Sequence, residues 1–212
     1  MKHAGRDLPG KESIKTRNRQ INRHSNLQSE FSRLWNIAEE IWTRHENDSS
    51  FGAYISADYE AVLDGLIRQQ PLANTFLEWG SGLGVVTIMA SLLGYEACGI
   101  EAEVELVDYS RDLAEQFQSS AEFAVGGFIP DSFQWRPELG EEAVRTAIDL
   151  ADAYDDLGRD LDEFDLVYGY PWPTEHELFK GIMRDCGSPH SSLLIYDARE
   201  GIMFYDASEL IR

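Results

Sequence analysis

The 212-residue sequence is short of positive charge. Its 18 lysines and arginines face 38 aspartates and glutamates, for a formal charge of −20. So acidic a surface repels phosphates over most of its area, which argues against a general nucleic-acid or anionic-membrane binder. Cysteine is scarce: Cys98 and Cys186 lie far apart and form no CxxC pair. No disulfide framework is expected, and a reducing, cytoplasmic setting fits. No apolar run reaches the roughly 18 residues that a spanning helix needs, and no apolar stretch of signal-peptide type opens the chain. The five histidines (His3, His24, His45, His176, His190) lack HExxH spacing, so no metal site is expected. A G-x-S-x-G nucleophile elbow is missing too.

The charge that is present is unevenly spread. Residues 1–23 hold seven basic and two acidic side chains, a net +5, which leaves −25 on the remainder. Residues 1–28 are polar and poor in large apolar side chains, and read as a basic flexible arm. That arm is the one segment suited to meet a polyanion. From Phe31 the character changes. Phe31, Leu34, Trp35, Ala38, Ile41 and Trp42 recur at helical spacing and predict a helix over 29–46. Tyr59, Val62, Leu63, Leu66 and Ile67 predict a second over 57–69, capped by Ser56 or Asp58, with Pro71 beyond its end. Residues 29–70 thus form an N-terminal helical extension.

Residues 71–212 alternate between strand and helix patterns. Strands are expected at 75–79, 97–100, 123–129, 164–168, 192–196 and 202–205. Helices are expected at 85–93, closed by Gly94, at 103–118, at 138–157 and from a Thr174/Glu177 capping box to Cys186. Strands separated by helices imply a doubly wound, mainly parallel sheet with helices on both faces. The last two strands are joined too closely for a crossover, so the sixth should run antiparallel to the fifth.

Chemistry concentrates in Glu78-Trp79-Gly80-Ser81-Gly82-Leu83-Gly84, between the first strand and a buried helix. Glycines here let the chain turn tightly and let a ligand approach the backbone, and the helix N-terminus offers free N–H groups. Glu101 closes the second strand 17 residues after Gly84, where an open α/β sheet places the acid that holds ribose hydroxyls. A dinucleotide fingerprint G-x-G-x-x-G/A would need Gly or Ala where Val85 stands, which disfavours an NAD-dependent oxidoreductase.

The segment resembles motif I of the class I S-adenosylmethionine-dependent methyltransferases, E/D-x-G-x-G-x-G, and matches it at Glu78, Gly80, Gly82 and Gly84. The resemblance implies a Rossmann-like fold over roughly residues 52–200, with S-adenosyl-L-methionine as cofactor. It implies that Glu78 orients the methionine end, that Gly80, Ser81, Gly82 and Gly84 approach the methionine and ribose, and that Glu101 holds the ribose. Asp131, after the third strand, would contact the adenine. Tyr170-Pro171-Trp172-Pro173 stands where motif IV lies, beneath the methyl group, with Tyr170 near the cofactor and Pro171 and Trp172 lining the acceptor pocket.

Tyr170 occupies the position of the Asp or Asn in [DN]-P-P-[YFW], which makes exocyclic amino groups of DNA bases poor targets. Tyr54 and the N-terminal helices would close over the site. Tyr170 and His176 are the candidates for catalysis. The C-terminal end is shortened against the family pattern, and the sheet edge this leaves suits a homodimer or another partner. The implied function is methyl transfer to an unidentified acceptor, favoured as a small molecule because the chain has little room for a recognition domain. The alternative is a non-catalytic nucleoside-binding or interaction protein on the same fold.

Overall fold

A computed structural model describes residues 11–51, 55–135, 146 and 150–210. Helix α1 (Lys11–His45) runs 35 residues, about 52 Å at 1.5 Å per residue. It starts well before the expected residue 29, so residues 11–28 are helical. The physical reason is that no glycine or proline interrupts residues 11–45. Phe31, Leu34, Ala38 and Ile41 are its buried stripe, and Trp35 Nε1 donates to Met89 Sδ at 3.0 Å. After a short 3₁₀ turn at Ser49–Phe51 comes α2 (Tyr59–Gln69). Asp58 caps it by accepting from Ala61 N at 3.1 Å.

The sheet contains β1 (Thr75–Trp79), β2 (Glu96–Glu101), β3 (Glu122–Val125), β4 (Leu166–Gly169), β5 (Ser192–Asp197) and β6 (Gly201–Tyr205). Their order is β3-β2-β1-β4-β5-β6. The first five are parallel and β6 pairs antiparallel with β5, Ile195 opposite Met203. Helices α3 (Val85–Leu93) and α4 (Val104–Gln116) join α1 and α2 over one apolar core. Helices α5 (Tyr154–Leu157), α6 (His176–Cys186) and α7 (Ala207–Leu210) cover the other. The result is the expected doubly wound α/β architecture.

Three local expectations change. Strand β3 ends at Val125, not residue 129: Gly126, at φ +153, gives its N–H to Glu101 O at 2.9 Å, and the chain then turns so that Gly127 bonds to Ala151 and Ala153 instead of to β2. Most of the acidic helix expected at 138–157 lies outside the described residues. Its described end is not helical at 151–153: Gly127 pairs with Asp152 in an isolated parallel bridge, and only Tyr154–Leu157 turns into helix. The capping box at Thr174 does not form, since α6 opens one residue later with Glu175 at its N-cap. Glu175 is drawn inward instead, to a site considered next.

Candidate functional site

The strand order reverses between β1 and β4, so the connections leaving their carboxyl ends go to opposite faces of the sheet, α3 to one and α6 to the other. Open α/β sheets bind ligands in such a crevice. A cavity of about 530 Å³ lies there, among the carboxyl ends of β1 to β5. That is within the roughly 300–1,000 Å³ range of small-ligand sites.

One wall is the loop from β1 to α3. Gly80 N and Ser81 N both donate to Ile100 O at 2.9 Å, and Gly84 N donates to Ser81 O at 2.7 Å. These bonds tie the loop to the end of β2. Glu101 completes the tie: its Oε2 accepts from Gly82 N at 2.8 Å and its Oε1 from Glu103 N at 3.0 Å. Burial pushes the Glu101 carboxyl up, against the pull of those N–H groups. Glu78 is buried at the end of β1, where its Oε2 accepts from Thr87 N at 2.8 Å and Thr87 Oγ1 at 2.5 Å. Burial pushes its carboxyl up to about 8, partly countered by the two Thr87 bonds and reinforced by Glu101. Glu78 is therefore largely protonated at neutral pH and pins the first turn of α3 to β1.

Gly80 lines the cavity at φ +69, and among the described residues nothing lies within 4 Å of where a Cβ would stand, so a ligand can approach the bare backbone there. The Ser81 side chain turns toward β2: its Cβ lies 2.8 Å from where a Cβ on Gly99 would stand, and its Oγ is buried with no hydrogen-bond partner among the described residues.

The sequence-predicted residues divide. Glu78, Gly80, Ser81, Gly82, Glu101, Tyr170, Pro171 and Trp172 all line this cavity. Gly84 does not. It sits behind the loop, where a Cβ would come within 2.6 Å of the Phe123 ring and 2.8 Å of Ser110 Cβ, so its role is packing. Asp131 is exposed and outside the lining; its backbone N–H donates to Asp152 Oδ2 at 2.7 Å. The early end of β3 puts Gly126, Gly127 and Phe128 in its place. His176 also stands outside, with Nε2 3.2 Å from Asp197 Oδ2. Tyr54 lies outside the described residues.

Other lining residues were not anticipated. Phe128 stacks on Trp79 with ring centroids 5.0 Å apart. Trp79 Nε1 donates to Tyr154 OH, which donates to Phe128 O. Glu175 is buried and accepts from Thr146 N at 3.1 Å, Thr146 Oγ1 at 3.0 Å and Trp172 N at 3.4 Å. It thereby fastens Thr146, in the β3–β4 connection, to the loop after β4. Asp197 closes β5, and its Oδ1 accepts from Arg199 N at 2.7 Å and Glu200 N at 2.9 Å. These bonds hold its carboxyl below the usual range, with His176 assisting. Its place at a strand's carboxyl end was the one available signal. Tyr170 packs edge-on to Tyr196 at 4.9 Å. Burial raises its phenol further from ionisation, as do Tyr196 and Asp197.

Among known proteins, no family model and no curated sequence matches this chain. Solved structures do. A methyltransferase from Geobacter sulfurreducens is 12% identical, with 78% of this chain and 73% of that one covered and a TM-score of 0.50. An RNA methyltransferase from Salinibacter ruber, in complex with S-adenosyl-L-homocysteine, is 19% identical over 68% of this chain and 78% of that one, with a TM-score of 0.47. The Pyrococcus abyssi tRNA (uracil-54, C5)-methyltransferase, in complex with the same ligand, is 16% identical at a TM-score of 0.42; the match covers 67% of this chain and 29% of that one. This chain thus spans under a third of that last protein's length. At such identities the likeness carries architecture alone: the chain has the α/β fold found in methyltransferases.

Proposed function

We propose that this protein is an S-adenosylmethionine-dependent methyltransferase acting on a small acceptor. The observation that carries the reading is the joint position of Glu101 and the Gly80–Gly82 loop, on one wall of a cavity at the sheet's switch point. The open space at Gly80 fits the close approach of a polar, nucleoside-bearing cofactor.

When bound, S-adenosylmethionine supplies an electrophilic methyl group on a sulfonium. The chain's own work is to bind, orient and exclude water. Glu101 accepts from the ribose hydroxyls, and the loop backbone at Gly80, Ser81 and Gly82 meets the methionine portion. Glu78 holds the loop's approach through Thr87. Gly126, Gly127 and Phe128 flank the adenine, the role expected of Asp131. Tyr170, Pro171 and Trp172 form the acceptor side.

Tyr170 keeps its proton and so serves as a hydrogen-bond donor to the acceptor, not as a base. Asp197 is ionised and lines the cavity, and accepts a hydrogen bond from the acceptor's N–H or O–H. His176, behind Asp197, is a positioning residue. The cavity volume supports a small acceptor, since cofactor and acceptor must share about 530 Å³.

Calorimetry with S-adenosylhomocysteine tests the cofactor half. One site per chain is expected, and no binding overturns the reading. Transfer of labelled methyl from S-adenosylmethionine to a panel of small amines and phenols tests the enzyme half. Tight binding with no transfer across broad small-molecule, RNA and protein panels would favour a non-catalytic nucleoside-binding protein.

A further inference from the structure

Away from the cavity floor, three potential ligands converge where α1 ends. His45 is the last residue of α1, Asp48 lies three residues on, and Glu105 sits in the first turn of α4. One donor atom of each lies within 4.8 Å of the others. The two elements are distant in sequence, so the fold, not local spacing, makes the group.

The His45 ring is held from all sides. It stacks on Phe51 with centroids 5.1 Å apart and meets Tyr109 at 5.4 Å. Its Nε2 lies 2.9 Å from Tyr109 OH, while Nδ1 faces Asp48 Oδ2 at 2.6 Å. Glu105 is oriented as well, because Ser50 Oγ donates to its Oε2 at 2.5 Å. Two of the three candidate ligands therefore have an outer partner that fixes their direction. Metal-binding histidines and carboxylates are oriented in this way.

We propose that His45, Asp48 and Glu105 form a site for a borderline divalent cation of the zinc type. With Nδ1 on the ion in place of its hydrogen bond to Asp48, the proton moves to Nε2, where the Tyr109 oxygen at 2.9 Å accepts it. Ligand bonds of about 2.0–2.2 Å put donors on one ion roughly 3 to 4 Å apart. An imidazole with two carboxylates suits Zn²⁺, Co²⁺ or Mn²⁺ better than Mg²⁺ or Ca²⁺, which prefer all-oxygen sets. Half-exposed Asp48 leaves room for water at the remaining positions. The ion would fasten the end of α1 to α4 beside Ser50 and Glu103, two residues of the cavity wall, and so hold one flank of the cofactor site.

The test uses the full chain, stripped with a chelator and titrated with ZnCl₂ in a calorimeter. One Zn²⁺ per chain is expected, and Co²⁺ should give visible d–d absorption bands with an imidazole ligand. Glu105→Gln and Asp48→Asn, both at exposed positions, should fold as the parent does in chelator and bind Zn²⁺ at least about tenfold more weakly. Tyr109→Phe removes only an outer partner and should weaken binding by roughly 10- to 100-fold, an effect a diffuse acidic surface would not produce. MgCl₂ in place of ZnCl₂ should give no saturable site. Absence of stoichiometric Zn²⁺ uptake overturns the proposal, and so does uptake unchanged in the Glu105 and Asp48 variants.

Discussion

Gly80 and Gly84 share a left-handed backbone, at φ +69 and φ +72, yet their replacement by alanine should have different consequences. An L-residue held in that region costs about 1–2 kcal/mol. At Gly80 that is the whole cost, because nothing lies within 4 Å of the new Cβ. At Gly84 the Cβ would meet Phe123 Cζ at 2.6 Å and Ser110 Cβ at 2.8 Å. Overpacking of this kind adds about 1–3 kcal/mol, for a sum of about 2–5 kcal/mol. For a chain of this length 1 kcal/mol moves the melting temperature by about 2–4 °C. Gly84→Ala should therefore melt roughly 4–20 °C below the parent, and Gly80→Ala only about 2–8 °C below it. Calorimetric melts without ligand read this difference. Affinity for S-adenosylhomocysteine should reverse the order, since Gly80 lines the cavity and Gly84 does not. Phe123→Leu in the Gly84→Ala background should recover part of the steric loss and none of the backbone strain. Equal melting of the two alanine variants, or stronger ligand loss in Gly84→Ala, would refute the division of the loop into a ligand-facing and a packing glycine.

The carboxylates supply further tests. Glu101→Ala removes at least one hydrogen bond to a charged group, worth about 1.5–3 kcal/mol, so S-adenosylhomocysteine affinity should fall at least roughly 10- to 150-fold; an unchanged Kd counts against the ribose assignment. Glu78 has a folded pKa of about 8, above its usual 4.5. Its contribution to stability is thus fully present below pH 4.5 and is lost as pH rises through about 8. Glu78→Gln keeps an acceptor for Thr87, so urea melts of the ligand-free variant should lose that decline between pH 4.5 and about 8; a decline identical to the parent's would place its cause elsewhere. Asp197→Asn should raise KM for the acceptor while leaving S-adenosylhomocysteine binding within about twofold, an outcome read by calorimetry and initial rates. Leu34 is fully buried in α1, and Leu34→Ala should cost about 2–5 kcal/mol in denaturant melts if α1 is integral to the core.

What could be read in advance follows from how far each determinant extends along the chain. The β1–α3 unit was legible because its signals are local: an apolar strand, a run of glycines, an apolar helix and Gly94, whose φ of +104 closes that helix as expected. Glu101 was legible because strand length fixes how far the next strand end lies from the loop. Gly84 stands outside the cavity lining because its missing Cβ makes way for Phe123, a residue from a strand two places away in the sheet, which a motif position does not reveal. Asp131 stands outside it for a related reason. The chain turns out of β3 after Gly126, and the residues at the cavity edge shift from 131 to 126–128. Glu175 carried no signal in the sequence: it turns inward because Thr146 and Trp172 offer part-buried donors that no short-range pattern encodes. The same holds for His45, whose partners Tyr109 and Glu105 come from α4. The pattern is physical. Local sequence sets where strands end and loops bend, and the strand ends choose the cavity. The residues that line its acceptor half are set by packing between segments far apart in the chain.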